Sequence, residues 1–548
     1  MSAFSRLGRL IMLVALLVPL GFAFFTNHVW EDYYITLRSS RNLVEGHGLV
    51  FQPGERLHTF TSPLGVLLPA LFTWIGGGND AVALWLFRFC NAGLLAATAG
   101  ILWRRAVTLG VGSLGRFLLF GLLLFDPKLT DFSTNGMETA ELVFFTVLLW
   151  SELERPEGAR VLRLALAYAG LMWTRPDAFI LAGALTVPHL IWNRAPAVSR
   201  GATIATVVKG ALVGMAIYAP WFCWAWWYYG SPVPHTIIAK ASQTPAMSPG
   251  TLLMIPWNAL RGASMFDYLF LPANFLFGNW PPYLHGIAHV LVLGAVLAWL
   301  FPRMPAAGRR TSLSLVAGMF YLSAIMVFGW YVPPWTVLAA TTLAFGADAV
   351  YRHAVNTAKP VVAGIVRIVA VAVVVLQLGL LLAVAWQMRV QQRVIEDGGR
   401  HQIGLWLKAH AAPGDSVFLE PLGYIGYYSQ LKTYDFPGLS SKEVVAATKA
   451  GARNYSDVVQ RLKPTWLVLR PLEIPREGFA NSHVLDDYEP VHDWDQRAIL
   501  EAVDFLPGRT WLNFDAHFVV YHRKAVPTAA TRPFPGSDEY ASIPLSPQ

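Results

Sequence analysis

Apolar runs too long for the interior of a soluble domain recur through the first 390 or so residues of this chain. Residues 10–25, 81–102, 137–150, 177–192, 203–228, 284–301, 312–328 and 368–386 are each nearly free of charge. A helix needs roughly 20 apolar residues to cross the hydrocarbon core of a bilayer. Lipid offers backbone groups no hydrogen-bond partners, so such runs are read as helices. They are too long for the strands of a membrane barrel and lack their alternation. Only 14% of the residues are charged, against about 25% in soluble globular proteins. The net charge of +8 belongs with Lys and Arg held in cytoplasmic loops, not with nucleic acid. Cys90 and Cys223 both fall inside apolar runs, which argues against a disulfide framework and a cysteine metal site.

Charge orients the spans. Arg6 and Arg9 place the N-terminus inside, and the first apolar run reads as an uncleaved first span. Arg104, Arg105, Arg116, Arg155, Arg160, Arg163, Arg194, Arg200, Lys209, Arg303, Arg309, Arg310, Arg352 and Lys359 then alternate to the inside if residues 63–76 do not cross. That segment is short, begins with Pro63 and ends in three glycines, so it reads as a re-entrant or interfacial helix. The expected fold is an all-α polytopic membrane bundle of about eleven transmembrane helices. The spans are 10–28, 81–103, 112–128, 137–151, 161–174, 177–194, 203–229, 284–301, 312–329, 334–350 and 361–386. Loops 29–62, 129–136, 175–176 and 230–283 then share the outer face, and the C-terminus lies outside.

Past residue 390 the pattern changes. Residues 401–411 read as an amphipathic helix, 416–420 and 466–470 as buried strands, and 455–463 as a helix. This predicts a small α/β domain over 395–525, on the outer side of a 1–390 membrane module. The Pro-, Ser- and Ala-rich 526–548 is expected to be a disordered tail. There is no internal repeat of the kind that builds many transporters.

The first outer loop holds the densest polar chemistry. Glu31 and Asp32 stand at the end of the first span, followed by an amphipathic stretch over 33–45 that suits a membrane surface. Two adjacent carboxylates can serve as a catalytic base, or can simply cap that helix. Glu138 enters the start of a span, where an unpartnered charge is costly. Asp177 follows Arg175 and Pro176 in a tight link and can be a local ion pair. Lys240 and His235 lie just outside a span, where an anionic headgroup would sit. A lysine there can also be merely snorkelling. Spacing gives no support for His235 as a metal ligand. No phosphate-binding loop, dinucleotide fingerprint, zinc-protease motif or nucleophile elbow is present.

Together these elements resemble the GT-C class of integral-membrane glycosyltransferases that use polyprenyl-phosphate sugars. The nearest likeness is to the branch of terminal arabinofuranosyltransferases. The likeness rests on Glu31-Asp32, Arg41-Asn42-Leu43, Gly46-His47-Gly48-Leu49-Val50-Phe51, Pro53 to Arg56 and Thr61-Ser62-Pro63-Leu64. It continues in Gly136-Met137-Glu138-Thr139, Thr174-Arg175-Pro176-Asp177, Gly230 to Lys240, and Gly423 to Ser429 with Tyr434-Asp435 and Gly438-Leu439. Two departures are His235, where the family usually has Asn, and His58-Thr59-Phe60, where it usually has a Glu-Gly-Tyr-like run. Both lie where sugar or acceptor would bind, so the resemblance does not carry the identity of the sugar.

The resemblance implies an inverting transfer from a polyprenyl-phosphate donor to an envelope glycan or glycolipid on the periplasmic face of a bacterial inner membrane. Asp32 would take the acceptor proton, with Glu31 as the alternate. Lys240, Arg175, Arg41 and Arg38 are the candidates to meet the donor phosphate, the first two foremost. Glu138, His235, His58 and Asn42 would bind sugar or acceptor. A divalent metal is compatible with this chemistry, and no ligand set is read for it. A cationic phosphate site is expected to hold the Asp32 carboxyl low and ionised. The competing reading is a lipid-linked sugar flippase or transporter, which predicts polar groups at the midplane of several spans. A non-catalytic scaffold would have no need of Asp32.

Overall fold

A computed structural model describes residues 5–192, 199–243, 247–324 and 328–524. Arg194 and the tail over 526–548 lie outside the described residues. The chain begins with α1 (Arg6–Thr26), then α2 (Glu31–Val44) and α3 (Pro63–Ile75). Next come α4 (Asp80–Thr108), α5 (Ser113–Leu124), α6 (Pro127–Phe132), α7 (Thr139–Leu153), α8 (Val161–Thr174) and α9 (Phe179–Trp192). They are followed by α10 (Arg200–Tyr229), α11 (His235–Gln243) and α12 (Pro249–Leu260), then α13 (Tyr283–Leu297), α14 (Ala306–Ala324), α15 (Pro333–Asn356) and α16 (Pro360–Val390).

Five of these are long and apolar enough to cross a membrane: Arg6–Thr26, Asp80–Thr108, Arg200–Tyr229, Tyr283–Leu300, and the helix that begins at Pro360. Their outer surfaces carry large apolar side chains, with Phe24 81% exposed, Trp227 77% and Ile368 70%. A water-soluble surface does not present such a continuous patch, and the chain is an integral membrane protein.

The segment read as one span over 112–128 is two helices. Asp126 accepts a hydrogen bond from Leu129 N at 2.7 Å, and Pro127 follows it, so a new short helix, α6, starts there. Helix α3 is 13 residues long, too short to cross unaided.

Helix α16 does not stop at the membrane edge. It widens into a π-helical segment over Gln391–Arg400 and continues as α17 (His401–His410), so the C-terminal domain is joined to the bundle by a continuous rod. That domain contains β1 (Ser416–Leu419), α18 (Leu422–Ser429), β2 (Lys432–Asp435), α19 (Lys442–Lys449), α20 (Tyr455–Leu462), β3 (Trp466–Leu469), β4 (Tyr488–Asp495) and β5 (His517–Arg523). The sheet order is β2-β1-β3-β5-β4. β1 runs parallel to β2 and β3, while β5 is antiparallel to β3 and β4. The predicted strands at 416–420 and 466–470 are β1 and β3, neighbours at the centre, which explains their unbroken apolar character.

Helix α2 joins the two layers. Tyr34 packs its ring against Tyr424, Tyr427 and Tyr428 of α18, with centroids 4.3–5.4 Å apart. On its other flank, Ser40 Oγ donates to Val66 O of α3 at 2.7 Å.

Candidate active site

The N-terminus of α2 is placed by backbone. Trp30 N donates to Asn135 O at 2.8 Å, which docks the start of α2 on the link between α6 and α7. Two motif glycines make the approach feasible. Gly136 has φ +103°, and a Cβ there would lie 2.3 Å from the Tyr33 ring. A Cβ on Gly423 would lie 2.0 Å from Glu31 O. Neither site admits a side chain.

Glu31 and Asp32 are neighbours in sequence but differ in surroundings. Glu31 accepts a hydrogen bond from Gly423 N at 2.8 Å and lies 3.7 Å from Arg400 Nη1. Burial nevertheless pushes its carboxyl up to about 8, against the pull of Arg400. It anchors the start of α2 on Gly423. The Asp32 carboxylate accepts no hydrogen bond among the described residues. Burial raises its pKa, Lys240 and Arg175 pull it down, and Glu138 and Glu420 add to the rise. The expectation that neighbouring cations hold Asp32 low is therefore reversed, because loss of water outweighs them.

Arg175, Glu138 and Lys240 gather opposite Asp32. Arg175 donates from Nη1 to Glu138 Oε1 at 2.9 Å and from Nε to Asp177 Oδ1 at 3.0 Å. Asp177 is therefore the local partner foreseen for it, and Tyr321 OH also donates to Asp177. The guanidinium lies 4.2 Å from the centroid of Tyr331, and Lys240 Nζ lies 4.8 Å from that of Phe328. Those two rings stack on each other, 6.2 Å apart at 29°. The two cations thus sit on adjacent rings of one aromatic wall, which Trp330 extends. With two carboxylates on it, Arg175 is already neutralised and positions Glu138.

Arg38, Arg41 and Asn42 are not brought to this group. Arg38 is buried, and donates to Gly426 O at 2.7 Å, Gln52 Oε1 at 3.1 Å and Leu431 O at 3.2 Å. Arg41 pairs with Glu45 at 2.7 Å and Asp80 at 3.3 Å. Asn42 Nδ2 donates to Val50 O and Phe51 O at 2.8 and 3.0 Å, pinning the glycine-rich turn. His58 and His235 meet each other instead. His235 N donates to His58 O at 2.8 Å, and His58 stacks on Tyr229 at 4.5 Å. Burial pushes the His58 imidazole down to about 4, and lowers that of His235. Among the described residues, no three His, Cys, Asp or Glu side chains are grouped so as to hold a metal ion.

Residues 386–521 match a family model described as a domain of unknown function, DUF8728. The terminal beta-(1->2)-arabinofuranosyltransferase of Mycobacterium tuberculosis is 27% identical over 252 residues, 42% of this chain and 37% of that protein. Its Corynebacterium glutamicum namesake is 30% identical over 242 residues, 39% of this chain and 33% of that protein. This chain thus spans about a third of the length of the curated relatives it matches. Among solved structures, the oligosaccharyltransferase AglB of Archaeoglobus fulgidus, in complex with an inhibitory peptide and a dolichol-phosphate, superposes with a TM-score of 0.56. The identity is 12%, over 89% of this chain and 73% of that one. ArnT of Cupriavidus metallidurans, bound to undecaprenyl phosphate, gives 0.50 at 14% identity, over 94% and 98%. The arabinofuranosyltransferase AftD from mycobacteria gives 0.51 at 16%, over 96% and 40%.

The chain has the GT-C fold. The likeness read from the first-loop motif to the terminal arabinofuranosyltransferases is borne out by the two sequence relatives.

The chain also carries charged groups that sequence reasoning did not single out. Arg400 holds Glu396 at 2.9 Å and Asp515 at 2.6 Å. Asp515 pairs with Arg470 at 2.6 Å, and Arg470 pairs with Glu420 at 2.8 Å. Glu420, in turn, raises the pKa of both Glu31 and Asp32. A ring of alternating charge thus leaves the acid pair through Arg400 and returns through Glu420. Glu420 and Arg470 each directly follow an apolar strand, at the carboxyl ends of the adjacent parallel strands β1 and β3. Ligand crevices of open α/β sheets form at such ends, and a charge closing each strand was the available signal. Glu141, one turn into α7, is buried, and both its oxygens lack a partner among the described residues.

Proposed function

We propose that this protein is an inverting glycosyltransferase that moves a sugar from a polyprenyl-phosphate donor to an envelope glycan or glycolipid. The observation that carries the reading is the half-buried Asp32, unbonded and facing Lys240 across a site ringed by Glu138 and Arg175. An acceptor hydroxyl attacks the anomeric carbon from the side opposite the phosphate. The C–O bond to the phosphate breaks with its electron pair, and the polyprenyl phosphate leaves. Asp32 accepts the hydroxyl proton as the new glycosidic bond forms, a contribution of about 10²–10⁴-fold. Lys240 lies where the charge growing on the departing phosphate needs a cation. Glu138, held by Arg175, is placed to accept from a sugar hydroxyl. Glu31 acts by holding the start of α2 against Gly423.

The relatives support this reading. Two are named as arabinofuranosyltransferases, and two fold neighbours were solved with polyprenyl-phosphate carriers. The site lies at the end of the bundle that meets the C-terminal domain, where Gly423 N donates to Glu31. Under the positive-inside rule that end is the periplasmic face of a bacterial inner membrane.

Purified wild type and Asp32→Asn, each offered a panel of labelled polyprenyl-phosphate sugars with envelope extract, test this. Label transferred by wild type and lost in a folded Asp32→Asn supports it. Equal transfer by both removes Asp32 from the reaction.

A further inference from the structure

At the far end of α2 a separate cleft of about 320 Å³ opens between the membrane bundle and the C-terminal domain. Its walls are Arg41 and Glu45 of α2 and its C-cap, Asp80 at the start of α4, Leu405 and Lys408 of α17, and Tyr428 and Gln430 at the end of α18. Counting from Asp32 to Arg41, the helix rises about 14 Å. The cleft therefore lies well away from the reacting atoms, on the same rigid element.

Its arginines are arranged against an anion, and its one other cation, Lys408, stands at the exposed rim. Arg41 is held by Glu45 at 2.7 Å and Asp80 at 3.3 Å, and Tyr427 OH donates to Asp80 at 2.7 Å. A phosphate or sulfate would have to displace two carboxylates to reach that guanidinium. Arg38, the other arginine on the wall, has its contacts directed to backbone carbonyls and Gln52. Apart from Lys408 at the rim, what remains is a set of planar polar groups of both hydrogen-bonding senses beside a tyrosine ring. Tyr428 is fixed by donating to Tyr34 OH at 3.1 Å and by the His401 ring at 4.0 Å. Such a surface exchanges hydroxyl hydrogen bonds without losing charge and packs the C–H face of a sugar on an aromatic ring.

We propose that this cleft binds a neutral glycan, a stretch of the acceptor remote from the bond being formed. The proposal rests on the transferase reading for its biological sense, but binding itself does not. The cleft belongs to α2 and α18 together, so a glycan seated there presses the C-terminal domain onto the helix that carries Asp32.

The test is direct binding of a neutral linear oligopentofuranoside, free of lipid and phosphate, to the full chain in lipid nanodiscs by isothermal titration. Wild type and Asp32→Asn are expected to bind it equally, since no chemistry is involved. Gln430→Ala and Leu405→Trp, which remove a polar wall and fill the cleft, are each expected to weaken binding about tenfold at unchanged thermal midpoint. Transfer to a short monosaccharide acceptor should be unaffected by either. No binding by wild type, undiminished binding by both cleft variants, or displacement of the glycan by inorganic phosphate would each overturn the proposal. Loss of transfer in Asp32→Asn with glycan binding intact separates this site from the catalytic one.

Discussion

The two ends of α2 both carry charged side chains and do different work. At its start, Asp32 accepts no hydrogen bond among the described residues, and its neighbours are charges of both signs. At its end, Arg38, Arg41 and Asn42 spend their donors on Gly426, Leu431, Glu45, Asp80, Val50 and Phe51. The first arrangement leaves a reactive group available in a site that excludes much of the water. The second ties α2 to the C-terminal domain and to its own following loop. An arginine whose guanidinium is held by backbone carbonyls or by carboxylates is structural, whatever motif it sits in.

The largest effect that would break this contrast is on turnover. Asp32→Asn should lower kcat/KM by about 10²–10⁴-fold without moving the thermal midpoint. Arg38→Met should do the converse. Losing a buried guanidinium that satisfies two carbonyls costs about 3 kcal/mol, read as a lower unfolding midpoint, with residual transfer tracking the folded fraction. If Arg38→Met instead abolished transfer in a fully folded protein, the division between the two ends would fail.

Smaller effects sharpen the comparison through pH. The acidic limb of the kcat/KM profile should lie above the ordinary aspartate value, because burial raises Asp32. Lys240→Met removes a lowering charge and should move that limb further up, while also slowing transfer. Glu420→Gln removes a raising charge and should move it down. A limb that does not respond to either change would detach Asp32 from the profile. Glu31 titrates near 8 when folded, against an ordinary 4.5. The stability it contributes is therefore complete below about 4.5 and is lost as pH rises through about 8. Glu31→Gln should flatten that loss in a pH series of thermal midpoints. The smallest effect is Asn42→Ala, about 1 kcal/mol of stability from two backbone contacts, with kcat unchanged.

Much of the fold was legible because a bilayer imposes length and hydrophobicity on every crossing helix. The strands at 416–420 and 466–470 were legible because central parallel strands are apolar on both faces. The break of 112–128 at Asp126-Pro127 was present as a cap signal but was submerged in the apolar run around it. The acid pair, Glu138 and Lys240 were readable as charges placed where apolar sequence should continue. The ring through Arg400, Asp515, Arg470 and Glu420 was not, since its members lie up to 115 residues apart and join only through sheet pairing and the unbroken α16–α17 rod.

By itself, the sequence determined that this chain lives in a membrane, where most of its long apolar helices run, and which polar residues lie at their ends. Those are local facts, set by the cost of burying charge and backbone in lipid. Only the tertiary structure decided which of those residues face one another. It separated Asp32 from Glu31, gave Arg175 to Glu138, and turned Arg38 from a phosphate ligand into a clasp. Hydrogen-bond partners and desolvation depend on what packs against a side chain, and residues far along the chain supply it.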